Sequence, residues 1–199
     1  MSLWRLGRKI KELWHLGRKV KEVWFMGRCI YRSAPKPVEV MPAVSGDHDA
    51  RGWLRDTLQK YGMDYRRVTE LPFDIDSRNA TTMYAMFNGC ASLTTVPALN
   101  TSNVTDMNFM FDGCSSLTTA PKMDTSNVTN MSYMFRGCAS LTTVPTLDTG
   151  NARYFGYMFQ TCRSLTDGNV ALTIKRKGAD TTRMIIESGL TREPFLTIE

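Results

Sequence analysis

Met110-Phe-Asp-Gly-Cys-Ser-Ser-Leu-Thr-Thr-Ala-Pro121 is the middle one of three nearly identical stretches. The other two are Met86-Phe-Asn-Gly-Cys-Ala-Ser-Leu-Thr-Thr-Val-Pro97 and Met134-Phe-Arg-Gly-Cys-Ala-Ser-Leu-Thr-Thr-Val-Pro145, which are displaced by 24 residues on either side. A fourth copy, Met158-Phe-Gln-Thr-Cys-Arg-Ser-Leu-Thr166, lacks the Gly and the Pro. A unit this short cannot bury an apolar face alone, so the period predicts that equivalent positions stack and share one core.

The segments between the copies repeat as well. Thr101-Ser-Asn-Val-Thr-Asp-Met107 is echoed by Thr125-Ser-Asn-Val-Thr-Asn-Met131 and loosely by Thr149-Gly-Asn-Ala-Arg-Tyr-Phe155, and a degenerate opening half stands at Ser77-Arg-Asn-Ala-Thr-Thr-Met83. The recurring Met, Phe and Leu positions predict three internal columns. They are Met86, Met110, Met134 and Met158; Phe87, Phe111, Phe135 and Phe159; and Leu93, Leu117, Leu141 and Leu165.

The predicted fold class is α+β/repeat. It is a short leucine-rich-repeat-like solenoid over residues 70–166, with a capping helix within 48–69 and a C-terminal cap over 167–199. The helix is expected from about Ala50 to Tyr61, started by Asp47 or Asp49 and ended by Gly62. The C-terminal cap is interpreted as strands or as a worn fifth coil, because terminal repeats are usually atypical.

Residues 1–32 contain a different repeat, of ten residues, in which Trp and Gly return in register. Regular glycines favour short β-hairpin strands that turn at each Gly, whereas the apolar spacing also permits a basic amphipathic helix. Neither form closes a core in so few residues, so this segment is expected to dock on a partner. The predicted docking residues are Trp4, Trp14, Trp24, Ile10, Val20 and Ile30. Residues 33–47, with three prolines, are predicted to be an extended linker.

Charge is concentrated in the same segment. Residues 1–32 hold nine Lys and Arg against Glu12 and Glu22, a balance of +7, and the rest of the chain sums to −1 out of a total of +6. The body is therefore nearly neutral, and nucleic acid is not an expected partner. No apolar run is long enough for a transmembrane segment, and charges interrupt the N-terminus where a signal peptide would need an apolar stretch. A protein that is made in the cytoplasm and is not exported by the usual route is expected.

The pattern Met-Phe-x-Gly-Cys-x-Ser-Leu-Thr-Thr-x-Pro followed by Thr-Ser-Asn-Val-Thr-x-Met resembles the BspA-like leucine-rich-repeat surface-protein family of bacteria and their phages. The resemblance covers about residues 70–166 and implies a solenoid for adhesion or recognition, without catalysis. The ten-residue repeat is similar to repeats at the start of many phage tail-associated proteins. Together they imply a virion protein assembled in the host cytoplasm, a minor tail or fibre-like component. A bacterial surface or secreted adhesin and a capsid decoration or head fibre protein are the alternatives. The expected location is a virion assembled in the host cytoplasm or, alternatively, the bacterial cell surface.

Two sets of recurring residues are predicted to be structural. The Cys positions have a 24-residue spacing and no CxxC pair, which favours a ladder of buried, reduced thiols over a metal site. The Asn positions are expected to hydrogen-bond the backbone of neighbouring turns. These structural ladders are Cys90, Cys114, Cys138 and Cys162, and Asn103, Asn127 and Asn151.

A ligand surface is expected where the copies disagree, because packing already accounts for the positions that agree. Aromatic rings beside mixed polar groups suit recognition of a host cell-surface glycan or protein, although the same rings could serve as half-buried core. The candidate residues are Asn88, Asp112, Arg136, Gln160, Phe109, Tyr133, Tyr157 and Lys122. With only His15 and His48 and no cluster of acids or bases, no catalytic residue, metal or cofactor is predicted. Other virion proteins are the expected partners of residues 1–32, in a symmetric homo-oligomer.

Overall fold

The computed structural model describes residues 36–42, 49–170, 172, 174 and 178–191, together with the backbone of four strands nearer the N-terminus. The chain divides into two compact units, Met1–Lys36 and Pro37–Glu199. Among the described residues, no helix has the length and apolar character needed to cross a membrane.

The described residues of the first unit form two antiparallel strand pairs. β1 (Trp14–His15) pairs with β2 (Arg18–Lys19), and β3 (Glu22–Phe25) pairs with β4 (Arg28–Arg32). The short strands fall at the ten-residue spacing of the repeat. The predicted docking side chains lie outside the described residues: Trp4, Ile10 and Val20 entirely, and the side chains of Trp14, Trp24 and Ile30.

The second unit begins with a parallel strand pair. β5 (Val38–Val40) lies beside β6 (Asp74–Asp76), and the Met41 N–H continues the ladder by donating to the Asp76 carbonyl at 2.8 Å. Met41 is fully buried. This part of the predicted linker over residues 33–47 is therefore packed into the second unit, because its alternating Val-Glu-Val pattern supplies a strand and its Met an anchor.

The single α-helix of the second unit's described residues, α1 (Asp49–Lys60), follows the pattern expected of an amphipathic helix. Leu54 and Leu58, one turn apart, are fully buried against the first repeat units. Gly62 ends the helix at φ +67°, and the Met63 N–H donates to the Leu58 carbonyl at 3.0 Å. A positive φ is accessible to glycine at no steric cost, which explains why the helix stops there.

The 24-residue units pair with one another in parallel. Bridges join Thr82 to Asp106, Asp106 to Asn130 and Asn130 to Tyr154, each pair 24 residues apart. Between the bridges, the N–H groups of one unit donate to carbonyls of the next, as Phe111 does to Met134 at 2.9 Å and Phe135 to Met158 at 3.0 Å. The sequence period is thus also the hydrogen-bond register, and we refer to these units together as the stack.

Equivalent side chains lie above one another inside the stack. The three columns, of four Met, four Phe and four Leu side chains, are fully buried. Successive Phe rings are nearly parallel, with centroids 5.3, 5.5 and 5.8 Å apart. Burying one such side chain contributes about 2 kcal/mol. Buried hydroxyls serve the backbone, since Thr101 donates to the Asp124 carbonyl and Thr125 to the Asp148 carbonyl, both at 2.9 Å.

A fifth unit closes the stack. After a short 3-10 helix (Asp167–Asn169), the N–H groups of Phe155, Tyr157 and Phe159 donate to the carbonyls of Asp180, Thr182 and Met184 at 2.7 to 2.9 Å. The sequence distance between the N–H and the carbonyl that it bonds is two residues longer here than between the earlier units. Met184 is fully buried. Residues 180–186 thus take the place of the coil that was one of the two interpretations of the C-terminal cap.

Candidate recognition surface

A turn with a residue other than glycine at positive φ recurs at the same position in the four repeat units. Ala85, Phe109, Tyr133 and Tyr157 have φ of 51° to 59°. A left-handed conformation costs roughly 1–2 kcal/mol for a residue with a side chain. The cost is offset by pairing, since the N–H of Phe109 donates to Ser132 and that of Tyr133 to Gly156. The backbone therefore imposes the turn and would favour Gly or Asn there, so the aromatic side chains are not explained by the turn itself.

The rings at these turns form a second aromatic column, the outer stack, consisting of Phe109, Tyr133 and Tyr157. Neighbouring centroids are 4.5 and 4.8 Å apart, with planes within 10° of parallel. Tyr84 meets Phe109 at 74°, with centroids 6.0 Å apart. All four rings are half-buried. The faces of the stacked rings cover one another, so these rings pack together and are still partly exposed.

A polar column runs beside the outer stack. The Asp112 carboxylate accepts hydrogen bonds from Arg136 Nε at 2.8 Å, Arg136 Nη2 at 2.7 Å and Asn88 Nδ2 at 2.9 Å. Asp112 is buried and Arg136 half-exposed. The bidentate bond to Asp112 raises the pKa of Arg136, so the guanidinium stays charged. The guanidinium carbon Cζ of Arg136 lies 4.9 Å from the Tyr133 ring centroid, a contact that holds the guanidinium group beside the outer stack.

These two columns meet α1 at an open cleft of about 610 Å³. The helix contributes exposed Arg51 and Arg55, one turn apart on its outer face, and the first 24-residue repeat contributes Tyr84. The full lining is Arg51, Gly52, Arg55, Tyr84, Ala85, Asn88, Phe109, Asp112 and Arg136. The cleft combines cationic forks, an amide and aromatic rings, a composition suited to a polar ligand with negative charge.

Four of the eight candidate recognition residues line this cleft: Asn88, Phe109, Asp112 and Arg136. Tyr133, Tyr157 and Gln160 continue the same columns beyond it, and Lys122 is exposed on a different part of its unit. Sequence reasoning missed Arg51, Arg55 and Tyr84. The i, i+4 spacing of the two arginines on the polar side of the predicted helix was the available signal.

The cysteines form the ladder expected of buried thiols. In three of the four, Sγ donates to the carbonyl of the Phe in the preceding unit: Cys114 to Phe87 at 3.1 Å, Cys138 to Phe111 at 3.1 Å and Cys162 to Phe135 at 2.9 Å. Burial raises the thiol pKa, to about 12 for Cys90 and Cys162. The described part of the chain holds no group of three or more His, Cys, Asp or Glu that could bind a metal ion.

The asparagines bond along the stack as well. Asn103, Asn127 and Asn151 donate through Nδ2 to the carbonyls of Arg78, Ser102 and Ser126 at 3.0, 2.8 and 2.6 Å. Each amide therefore ties one turn to the turn 25 residues earlier. These contacts hold exposed loops that lack regular strand pairing.

One family model matches the chain. It is described as "Mycoplasma protein of unknown function, DUF285" and covers residues 74–189, which includes all of the stacked units and the fifth unit. No curated protein and no solved structure matches the chain.

Proposed function

The chain belongs to the family described as Mycoplasma protein of unknown function, DUF285, and from this premise we propose that it is a non-enzymatic recognition protein built on a short leucine-rich-repeat-like solenoid. The observation that carries the proposal is the cleft. Where the repeat units differ from one another, their aromatic and polar columns converge with α1 on one open site. Repeat proteins place variable side chains on a constant frame in this way to bind partners.

We propose further that the protein is a virion component, a minor tail or fibre-like protein that presents the stack outward. Residues 1–32 carry the charge and the tryptophans that would anchor it to other virion proteins. The resemblance of the ten-residue repeat to phage tail-associated proteins and of the 24-residue repeat to BspA-like surface proteins supports this assignment.

Attachment is tested by removing the first compact unit. We expect the full-length protein to co-sediment with assembled particles, and a variant of residues 37–199 to stay folded but to be absent from them. Circular dichroism provides the folding control. Recovery of the truncated protein in particles would show that the first unit is not the anchor. Cryo-electron microscopy of the particles distinguishes a tail position from a capsid or head-fibre position.

Recognition is tested with a matched pair of double variants. We expect Tyr84→Ala/Asn88→Ala to lose at least tenfold in binding of the fluorescent full-length protein to intact host cells, because both side chains line the cleft. Tyr154→Ala/Asn169→Ala removes the same side chains from exposed positions outside the cleft and should bind as the parent does. Equal binding by both variants would contradict a recognition role for the cleft.

A second candidate is a bacterial surface or secreted adhesin, favoured by the family description, which names a cellular organism. In that case antibody against the protein would label intact bacterial cells without particles. The recognition test above is the same for both candidates, whereas the attachment test separates them.

A further inference from the structure

The strongest unexplained feature is a row of polar side chains on the outer face of α1. Arg51, Arg55 and Gln59 follow one another at i, i+4 and i+8. The opposite face, with Leu54 and Leu58, is fully buried. Successive members of such a row lie about 6 Å apart, so they form a line and not a cluster.

This row lies between two cavities. Arg51 and Arg55 line the cleft of about 610 Å³ and also a second cavity of about 300 Å³, which adds Gln59, Tyr65 and Arg66. Because the two cavities share the same two arginines, they adjoin along the helix, and we call the two together the arginine groove. Two adjoining cavities suit an extended ligand more than a compact one.

The guanidinium groups in the groove differ in how far they are already neutralised. Arg136 is paired with Asp112 through two hydrogen bonds. Arg51 lies 5.7 Å from the Tyr65 ring centroid and, among the described residues, has no carboxylate within ion-pair distance. Arg55 faces only its neighbour Asp56 at 3.7 Å, with both side chains about 70% exposed. An exposed pair of this kind contributes little, so two charged forks remain available to a ligand.

The remaining lining decides which kind of anion fits. Beside the arginines, the larger cavity has the Asn88 amide and the Asp112 carboxylate, and the smaller one has the Gln59 amide and the Asp64 carboxylate. A ligand with phosphates at every step would meet these carboxylates, and the chain outside residues 1–32 has no excess of positive charge to compensate. An acidic glycan has separate carboxylates among neutral hydroxyls, which matches two unneutralised forks with amides in the lining beside them.

On the premise of the recognition function proposed above, we propose that the arginine groove binds an acidic polysaccharide, with Arg51 and Arg55 each holding a sugar carboxylate. Asn88 in the larger cavity and Gln59 in the smaller one donate to and accept from ring hydroxyls of the same glycan. Tyr84 supplies apolar contact at the end of the groove. The ligand class is thus a glycan of uronic or sialic acid units.

Isothermal titration calorimetry on the full chain tests this with tetragalacturonate and tetrasialic acid as probes. The fully methyl-esterified tetragalacturonate is the matched ligand control, because it has the same sugars without the charge. We expect the parent protein to bind at least one acidic probe, and the ester at least tenfold more weakly than tetragalacturonate if that is the probe bound. Affinity should fall as salt is raised.

The variant control is matched in charge. Arg51→Gln/Arg55→Gln should weaken binding of the acidic probe at least tenfold, whereas Arg153→Gln/Arg163→Gln, exposed and outside both cavities, should leave it unchanged. Binding of neither probe, equal loss in both variants, or tighter binding of a single-stranded oligonucleotide of equal charge would each overturn the proposal. If instead the ester binds as well as the acid and Tyr84→Ala/Asn88→Ala still abolishes cell binding, the acidic-glycan proposal fails while the recognition function stands.

Discussion

At the scale of single residues, the stack depends on one glycine per unit. Gly89, Gly113 and Gly137 have φ of 81°, 75° and 74°, and a Cβ on Gly137 would lie 3.4 Å from both the Cα and the N of Gly113. Two adjacent units approach this closely only because neither has a side chain there. In the fourth copy Thr161 adopts the same conformation at φ 60° without the glycine. That position therefore carries strain that the others avoid.

We predict that Gly137→Ala lowers the free energy of unfolding by about 1–2 kcal/mol, because alanine is strained at positive φ and its Cβ would lie 3.4 Å from the backbone of the preceding unit. Gly168→Ala is the control, since nothing lies within 4 Å of the added Cβ. Its effect should stay within about 0.5 kcal/mol. Urea unfolding followed by circular dichroism measures both. A neutral Gly137→Ala would mean that the units are not in close backbone contact.

The buried thiols predict a loss of stability in alkali. Burial raises the pKa of Cys90 and Cys162 from 9.0 to about 12. Below pH 9 both states hold the proton and the stabilisation is complete. Above it the unfolded chain ionises first, so the free energy of unfolding falls between about pH 9 and pH 12, by at most about 1.4 kcal/mol per pH unit for each thiol.

Comparison with Cys90→Ala/Cys162→Ala isolates this contribution from the tyrosines and lysines that titrate in the same range. We expect the double variant to be less stable at pH 8 but to lose stability less steeply as the pH rises, in urea unfolding series at matched pH. Parallel slopes would show that these thiols are accessible enough to ionise in the folded protein.

At the scale of the elements, each unit should be removable as a whole. Deleting residues 111–134 joins Met110 to Phe135, and Met110 then precedes a Phe-x-Gly-Cys segment as before. We expect this variant to fold with a lower midpoint in urea and a smaller m-value, because one interface and its buried surface are gone. Deleting only residues 111–122 joins Met110 to Met123 and breaks the register, so that variant should not fold. If the 24-residue deletion variant also fails to fold, with the same circular dichroism spectrum as the 12-residue deletion variant, the units are not equivalent.

The period, the buried columns and the end of α1 at Gly62 follow from sequence, because each rests on a residue type returning at a fixed distance or on a local backbone rule. The positive φ at Phe109 and Tyr133 does not, since nothing in an aromatic residue favours it and only pairing with the next unit imposes it. The sequence does not decide between strands and a fifth unit at the C-terminus, because Ile185 and Ser188 replace the Phe and Cys of the repeat and the spacing is longer by two residues.

The same distinction applies to the candidate site. Asn88, Asp112 and Arg136 share a column by period alone, so their proximity could be predicted. Arg51 and Arg55 reach the cleft only because α1 docks against the first units, which is a long-range packing event. A one-dimensional repeat pattern holds no information about where a helix outside the repeat will lie.

At the scale of the whole molecule, stability in a stack is shared between neighbours. Every inner unit has two interfaces, while a terminal unit has one, so opening should start at an end. At the N-terminal side α1 covers the stack with Leu54 and Leu58. At the C-terminal side the fifth unit has Ile185, which is only half-buried, at the position where the inner units fully bury a Phe. The C-terminal end is therefore expected to open first.

Three equivalent amides make this measurable by hydrogen exchange. The N–H groups of Phe111, Phe135 and Phe159 each follow a Met and donate to a Met carbonyl, at 2.9, 3.0 and 2.8 Å, and all three side chains are fully buried. Their intrinsic chemistry and local geometry are matched, so only their position along the stack differs. We predict that Phe159 exchanges at least tenfold faster than Phe111 and Phe135, corresponding to a difference of about 1.4 kcal/mol in opening free energy. Equal protection at all three sites would mean that the last interface opens only when the whole stack unfolds, and that the fifth unit is as stable as those it covers.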